Sequence, residues 1–318
     1  MFAAAATCFA LSGCANLQNL TPELPVTRVL GPDTVDPALT DTAMERAKLA
    51  VVPFEPQSSE WERVTTAKQL MGKSRTGFDA ALFRSGEEYA FVFYGYNELE
   101  DLNEVVNVGF MGIPRKQLEE AHDFVMRASE VYGFEPSQTD FVGHSMRGYI
   151  AKALGLHTGA ATIWAYNSPG FKRRDPGRFD RLFAEADAKS GVTHGTYVAP
   201  EIYNISSDED IVGRWGYQPG EVYELDTGRR HHAVAAMVAA LRNLNPFAHD
   251  EEPLEAEARL DNKKPGFLGR LFNRISQSDF VQKRVKRKFR SPETSIAVEE
   301  QRPQEPRTPI APPAPDIG

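Results

Sequence analysis

Residues Thr139 to Leu156, TDFVGHSMRGYIAKALGL, constrain this chain more than any other stretch. Asp140-Phe141-Val142 reads as a short apolar strand, Gly143 opens a sharp turn, and the spacing predicts a helix from about Met146 to Leu154. One serine, Ser145, stands at the tip of the turn. A corner this tight between strand and helix pushes the serine Oγ out above the C-terminal edge of a parallel sheet. The helix then aims its N-terminal N–H groups, and the positive end of its dipole, at the same place. The amide of Met146 would be one donor for an oxyanion formed there.

The run Gly143-His144-Ser145-Met146-Arg147-Gly148 resembles the nucleophile elbow of α/β-hydrolases, whose pattern is G-x-S-x-G. It departs from that pattern at one place. Arg147 stands where the second glycine belongs, and Gly148 comes one residue late. Small residues flank such a serine because its strained backbone brings neighbours close. Arg147 is therefore expected to run outward along the surface. His144 is expected to pack beside the serine without reacting. The bland alternative is a plain βα turn with an incidental serine.

At 318 residues the chain has room for one α/β domain with appendages. A net charge of −8 carries no overall signature of nucleic-acid binding, so no nucleic-acid partner is expected. The two cysteines, Cys8 and Cys14, both lie in the first segment, which leaves the folded body no disulfide and no thiolate metal site. Met1 to Gly13 is apolar and small and reads as the h-region of a signal peptide. Its end, Leu11-Ser12-Gly13-Cys14, resembles the bacterial lipobox. The resemblance implies a lipoprotein-type signal over 1–14, lipidation at Cys14 and a membrane-anchored place in a bacterial cell envelope. Asn16, where an Asp is absent, resembles lipoproteins sent to the outer membrane. Residues 15–59 read as a linker with one helix. Leu17 to Thr40 is rich in Pro, Thr and Asp, and Asp41 to Val51 is helical with Asp41 or Thr40 as cap.

A single domain with a mostly parallel sheet flanked by helices is expected over residues 60–248. Trp61 to Gly77 reads only as structure leading in. Ala80 to Phe83 and Tyr89 to Tyr94 bracket Ser85-Gly86-Glu87 as a hairpin. Leu118, Ala121, Phe124, Val125, Ala128 and Val131 recur at helical spacing between Pro114 and Tyr132, and Gly133 stops the run. With the elbow strand next, this is a β-α-β step and calls for a parallel pair. Thr162 to Tyr166 follows as a strand ending in the turn residues Asn167-Ser168-Pro169-Gly170. Then come a charged helix over Arg173 to Ala188, apolar runs at Tyr197 to Ile205 and Val222 to Leu225, and a helix over Ala233 to Leu244.

Phe93-Tyr94-Gly95-Tyr96, followed by Asp101-Leu102, resembles the Phe-Arg-Gly-Thr … Asp-Trp stretch of the fungal-lipase-like (class 3) lipases. In that family the residue after the glycine supplies the second oxyanion donor, which here would be the Tyr96 N–H. Strand-end packing is the ordinary alternative for Tyr94 and Tyr96. Asp208, Glu209 and Asp210 follow the fourth strand, on the sheet edge where an orienting acid must stand. The family's Asp precedes apolar residues, so Asp210 before Ile211-Val212 matches best, with Asp208 as the alternative. The family's base stands just before a helix; His232-Ala233-Val234 fits, and His231 is the alternative. The order Ser145 … Asp210 … His232 is the α/β-hydrolase order. No third ligand accompanies the two adjacent histidines, so no metal is expected there, and no cofactor.

The resemblance implies a serine-dependent carboxylic ester hydrolase acting on lipid or other acyl esters. Two other readings stand beside it. One is a catalytically silent hydrolase-fold lipoprotein with a binding role in the envelope, which Arg147 favours. The other is an acyltransferase or thioesterase on the same fold. Past the domain, residues 249–290 are expected to form a basic amphipathic helical extension. Phe267, Leu268, Leu271, Phe272 and Ile275 oppose Arg270 and Arg274, and Lys283 to Arg290 is strongly basic. Segment 263–290 is a candidate contact with an anionic membrane surface, docking on the domain being the alternative. Residues 291–318 are Pro-rich and expected to be disordered.

Overall fold

The computed structural model describes residues 27–31, 36–51, 60–94, 114–192, 198–208, 210, 212–228 and 232–244. Among them, eight strands form one sheet: β1 (Thr27–Leu30), β2 (Glu62–Thr66), β3 (Asp79–Ser85), β4 (Glu88–Tyr94), β5 (Thr139–His144), β6 (Thr162–Tyr166), β7 (Glu201–Ser207) and β8 (Glu221–Leu225). Their spatial order is β1-β8-β7-β6-β5-β4-β3-β2. The pairs β2–β3 and β3–β4 are antiparallel. Every pairing from β4 across to β1 is parallel. The helices are α1 (Pro37–Val51), α2 (Ala67–Met71), α3 (Arg115–Tyr132), α4 (Met146–Thr158), α5 (Pro176–Ser190) and α6 (Val234–Leu244).

Period-two alternation along the central strands separates two cores. Phe91 and Phe93 of β4, Phe141 of β5 and Ile163 of β6 face α3, α4 and α5. Ala90, Val92 and Tyr94, with Val142, Trp164, Tyr166 and Ile205, face α1 and α6 on the other side. Both faces of the parallel region are thus covered, as such sheets require. Phe91 meets Phe124 and Phe141 edge-on, at centroid distances of 5.6 and 5.4 Å. The result is the mostly parallel α/β-hydrolase architecture, with the strand–serine–helix corner in the middle of the sheet.

The region expected as a linker, 15–59, departs from that expectation. Residues 27–30 form β1, which pairs with β8 and completes the sheet. The expected helix is present but begins earlier, at Pro37, because Asp36 Oδ1 accepts the Ala38 N–H at 2.9 Å. Met44, Ala47 and Leu49 are buried against the sheet and α6. The sequence signal was weak because cationic residues share the buried face. Arg46 is one of them: Nε donates to Asp140 Oδ2 at 2.7 Å, Nη2 to Glu88 Oε2 at 3.1 Å, and the guanidinium lies 4.4 Å from the Trp61 ring. The stretch after Trp61 also holds more than expected, namely β2 and α2. A reciprocal cap between Thr66 and Gln69 starts α2.

The signal segment 1–14 with Cys14, the extension 249–290 and the tail 291–318 lie outside the described residues. No helix among the described residues is long and apolar enough to cross a membrane.

Arg46→Met should strip the partly buried Asp140 of its cationic partner. The expected loss is about 2 kcal/mol in urea unfolding, below the range for a wholly buried pair because Glu88 is exposed. A loss under about 0.5 kcal/mol would put the bridge among ordinary surface pairs.

Candidate active site

Ser145 occupies a conformation that L-residues seldom adopt, φ 55° and ψ −128°. Three contacts hold it. Its amide donates to the Tyr166 carbonyl at 2.8 Å, which locks the corner to the neighbouring strand. Gly143 lets the Arg147 carbonyl approach so closely that a Cβ there would overlap it. Gly148 does the same for the Ser168 side chain and the Gly143 carbonyl. The displaced glycine therefore still serves close packing around the corner.

Arg147 does not run outward as expected. It is 3% exposed, and its Nη1 donates to Gln117 Oε1 of α3 at 2.8 Å. The elbow helix is buried on every side, so its first turn offers position 147 no outward route. Asp79 supplies an opposing charge: burial pushes its carboxyl up, against the Ala80 amide and the Arg147 guanidinium.

Two of the other sequence candidates, His232 and Asp210, converge on Ser145. His232 Nε2 lies 3.0 Å from Ser145 Oγ, and His232 Nδ1 lies 3.0 Å from Asp210 Oδ1. A carboxylate only accepts, so Nδ1–H donates to Asp210 and Nε2 is left to accept the serine hydroxyl proton. Asp210 is 1% exposed, and its other oxygen accepts the Gly213 N–H at 2.7 Å. Gly213 must be glycine, because a Cβ would run into Ser206 Oγ. The amide of Asp208 closes instead on the Leu225 carbonyl at 3.0 Å. Met146 opens α4, where helix geometry leaves an amide without an i−4 carbonyl. Tyr96, Glu209 and His231 lie outside the described residues.

Three further residues have roles that the sequence did not indicate. The first is His144, expected only to pack: its Nε2–H donates to the His232 carbonyl at 2.6 Å, and the two rings lie 4.9 Å apart. Burial, then the neighbouring imidazole, pushes the pKa of His144 down to about 3, so it stays neutral beneath His232. The signal was its place beside the serine. The second is Asn167, at φ 44°, whose Oδ1 accepts the Ser207 amide at 2.7 Å and fixes the end of β7 ahead of Asp210. The third is Lys152, wholly buried on α4, which donates to Pro169 O, Asn204 Oδ1 and Gln218 Oε1 at 3.0, 3.1 and 2.5 Å. Burial pushes its pKa well down. Its signal was one charge inside the run YIAKALGL.

No protein-family profile matches the chain, and no curated protein does. Several solved structures are similar to it, among them two lipases and a carboxylesterase. The Lip2 lipase from Yarrowia lipolytica is 15% identical, with a TM-score of 0.40 over 63% of this chain and 83% of that one. A triacylglycerol lipase from Penicillium expansum is 13% identical, with a TM-score of 0.37 over 63% and 84%. EstE1, a thermophilic carboxylesterase cloned from a metagenomic library, is 10% identical, with a TM-score of 0.32 over 66% and 97%. Overlaps this partial carry no weight for activity.

The depressed His144 pKa makes a pH prediction. The unfolded chain binds a proton at His144 below about pH 6.5, while the folded chain resists until about pH 3. The stabilisation is complete above pH 6.5 and is lost as pH falls toward 3. Between pH 7 and 4.5 the wild type should lose roughly 2 kcal/mol more than His144→Gln in urea unfolding. Parallel curves for the two proteins would contradict it.

Proposed function

We propose that the protein is a serine-dependent carboxylic ester hydrolase, lipase- or esterase-like, acting on lipid or other acyl esters. One observation carries the reading: Ser145 Oγ, His232 Nε2, His232 Nδ1 and Asp210 Oδ1 form a continuous relay with both links at 3.0 Å. Ser145 Oγ attacks the acyl carbonyl as His232 Nε2 takes its proton. Asp210 holds the imidazole in the required tautomer and stabilises the imidazolium. The developing oxyanion is received by the Met146 N–H and, by resemblance to class 3 lipases, by the Tyr96 N–H. His232 passes the proton to the leaving alcohol. It then activates the water that releases the acyl group from Ser145. No step needs a cofactor.

Arg147 was the feature that favoured a silent binding protein. Its guanidinium is taken up by Gln117 in the interior, which leaves the silent reading without a structural observation in its favour. The placement we propose is a bacterial envelope, with Cys14 lipidated and segment 263–290 against anionic headgroups. That part rests on sequence patterns alone.

A fluorophosphonate probe should label Ser145, and Ser145→Ala should abolish the label. Asp210→Asn should cut kcat on a short p-nitrophenyl ester by about 10⁴-fold, the imidazole being left in the wrong tautomer. A folded wild type that neither labels nor cleaves short or long acyl esters would falsify the hydrolase reading. For the anchor, Cys14→Ser should abolish incorporation of labelled fatty acid and release the protein from membranes. Unchanged fractionation with no lipid on the wild type would remove it.

A further inference from the structure

Far from the candidate active site, three helices bring imidazole and carboxylate groups to one point. His122 of α3 and His157 near the end of α4 both turn Nε2 toward Asp187 of α5. His122 Nε2 lies 2.7 Å from Asp187 Oδ1, and His157 Nε2 lies 2.9 Å from Asp187 Oδ2. The three donor atoms all fall within 4.8 Å of one another. His157 stands twelve positions along α4 from Ser145, about 18 Å at the helical rise, so the cluster has no part in the relay.

We propose that His122, His157 and Asp187 form a structural site for a divalent first-row transition ion, zinc being the best match to two imidazoles and a carboxylate. Two features distinguish it from a chance meeting of polar groups. The rings are set by packing: Phe183 lies nearly parallel to His157 at 4.6 Å and to His122 at 6.0 Å, with interplanar angles of 22° and 24°. The buried ring is also incompletely matched in the metal-free arrangement. His122 is wholly buried, and its Nδ1 has no hydrogen-bond partner among the described residues. Asp123 Oδ1 stands 3.9 Å away, just out of reach.

Metal binding resolves that mismatch. To ligate, Nε2 must give up its proton, and the neutral ring then carries it on Nδ1. A modest turn of the half-exposed Asp123 side chain brings a carboxylate to that N–H, the outer-shell partner that metal-bound histidines usually have. The contact between His122 Nε2 and Asp187 Oδ1 needs to open by only about half an ångström, toward the roughly 3.3 Å edge of a tetrahedron with 2.0–2.1 Å bonds, and His157 Nε2 already lies within 4.8 Å of both ligand atoms. His157 and Asp187 are slightly exposed, which gives the ion an entry path and water a place in the fourth position. The ion would tie α3, α4 and α5 together at the end of the domain remote from Ser145.

The test uses the tag-free full chain in mild detergent, freed of metal by chelation, with zinc chloride as the probe. Calorimetry should show one zinc per chain at micromolar affinity or tighter. A hundredfold excess over Kd should raise Tm by about 5 °C or more. Cobalt(II) should give intense visible absorption bands of a near-tetrahedral site. His157→Gln and Asp187→Asn sit at the partly exposed rim. Both should bind zinc at least 100-fold more weakly and lose the cobalt bands while keeping wild-type far-UV circular dichroism. Zinc affinity and cobalt spectrum retained in both variants would put the ion elsewhere and overturn the proposal. So would a wild type whose Tm ignores zinc while Asp187→Asn melts earlier, because the trio would then be a hydrogen-bonded clamp.

Discussion

The arrangement depends on the backbone of one residue held where it would not rest by itself. A non-glycine residue in this region costs about 1–3 kcal/mol and persists only where its surroundings over-determine it. At Ser145 the surroundings do so. The adjacent strand accepts its amide, two glycines let main chain and Ser168 close in, and α4 is buried from Met146 to Thr158. A helix enclosed on all sides cannot tilt to release its first residue. The hydroxyl is therefore fixed to the sheet, and the imidazole and carboxylate need only be brought to it.

They are brought by loops, and each loop is pinned by a specific polar contact. Asn167 takes a left-handed turn and grips Ser207, which fixes where β7 ends and Asp210 begins. Gly213 closes on the far oxygen of Asp210. His144 rises from the end of β5 to hold the main chain of His232. An ionised imidazole beneath His232 would oppose any positive charge on that ring, and burial keeps His144 neutral. The same helix carries Arg147 and Lys152 inward, each met by named acceptors. Buried basic groups are tolerated only with such partners.

Much of this was legible because local rules and tertiary context agree. The apolar strand, the single serine and the helix at 139–156 follow from spacing. So do α3, with Leu118, Phe124 and Val125 on one face, and α6, with Met237, Val238 and Leu241. The chain order of Ser145, Asp210 and His232 marks three residues that meet above the sheet edge. The direction of Arg147 was not legible, since it depends on where α3 puts Gln117, an element thirty residues away. Nor was the role of His144, because its partner is a backbone carbonyl and carries no side-chain signature. The strand β1 is four residues long with one buried position, so alternation had nothing to register. His122, His157 and Asp187 are scattered over three helices with no motif spacing.

That short first strand has a further consequence. Its Arg28 meets Glu221 across 193 residues of chain, and its register partners are the residues of β8. The sheet can therefore be closed on that side only after nearly the whole body has left the ribosome. Between the emergence of β8 and the docking of β1, β8 presents an open row of amides and carbonyls, which is a template for joining another molecule. Assembly in the wrong order leads from there to intermolecular strand exchange, and four residues near the chain's beginning guard against it.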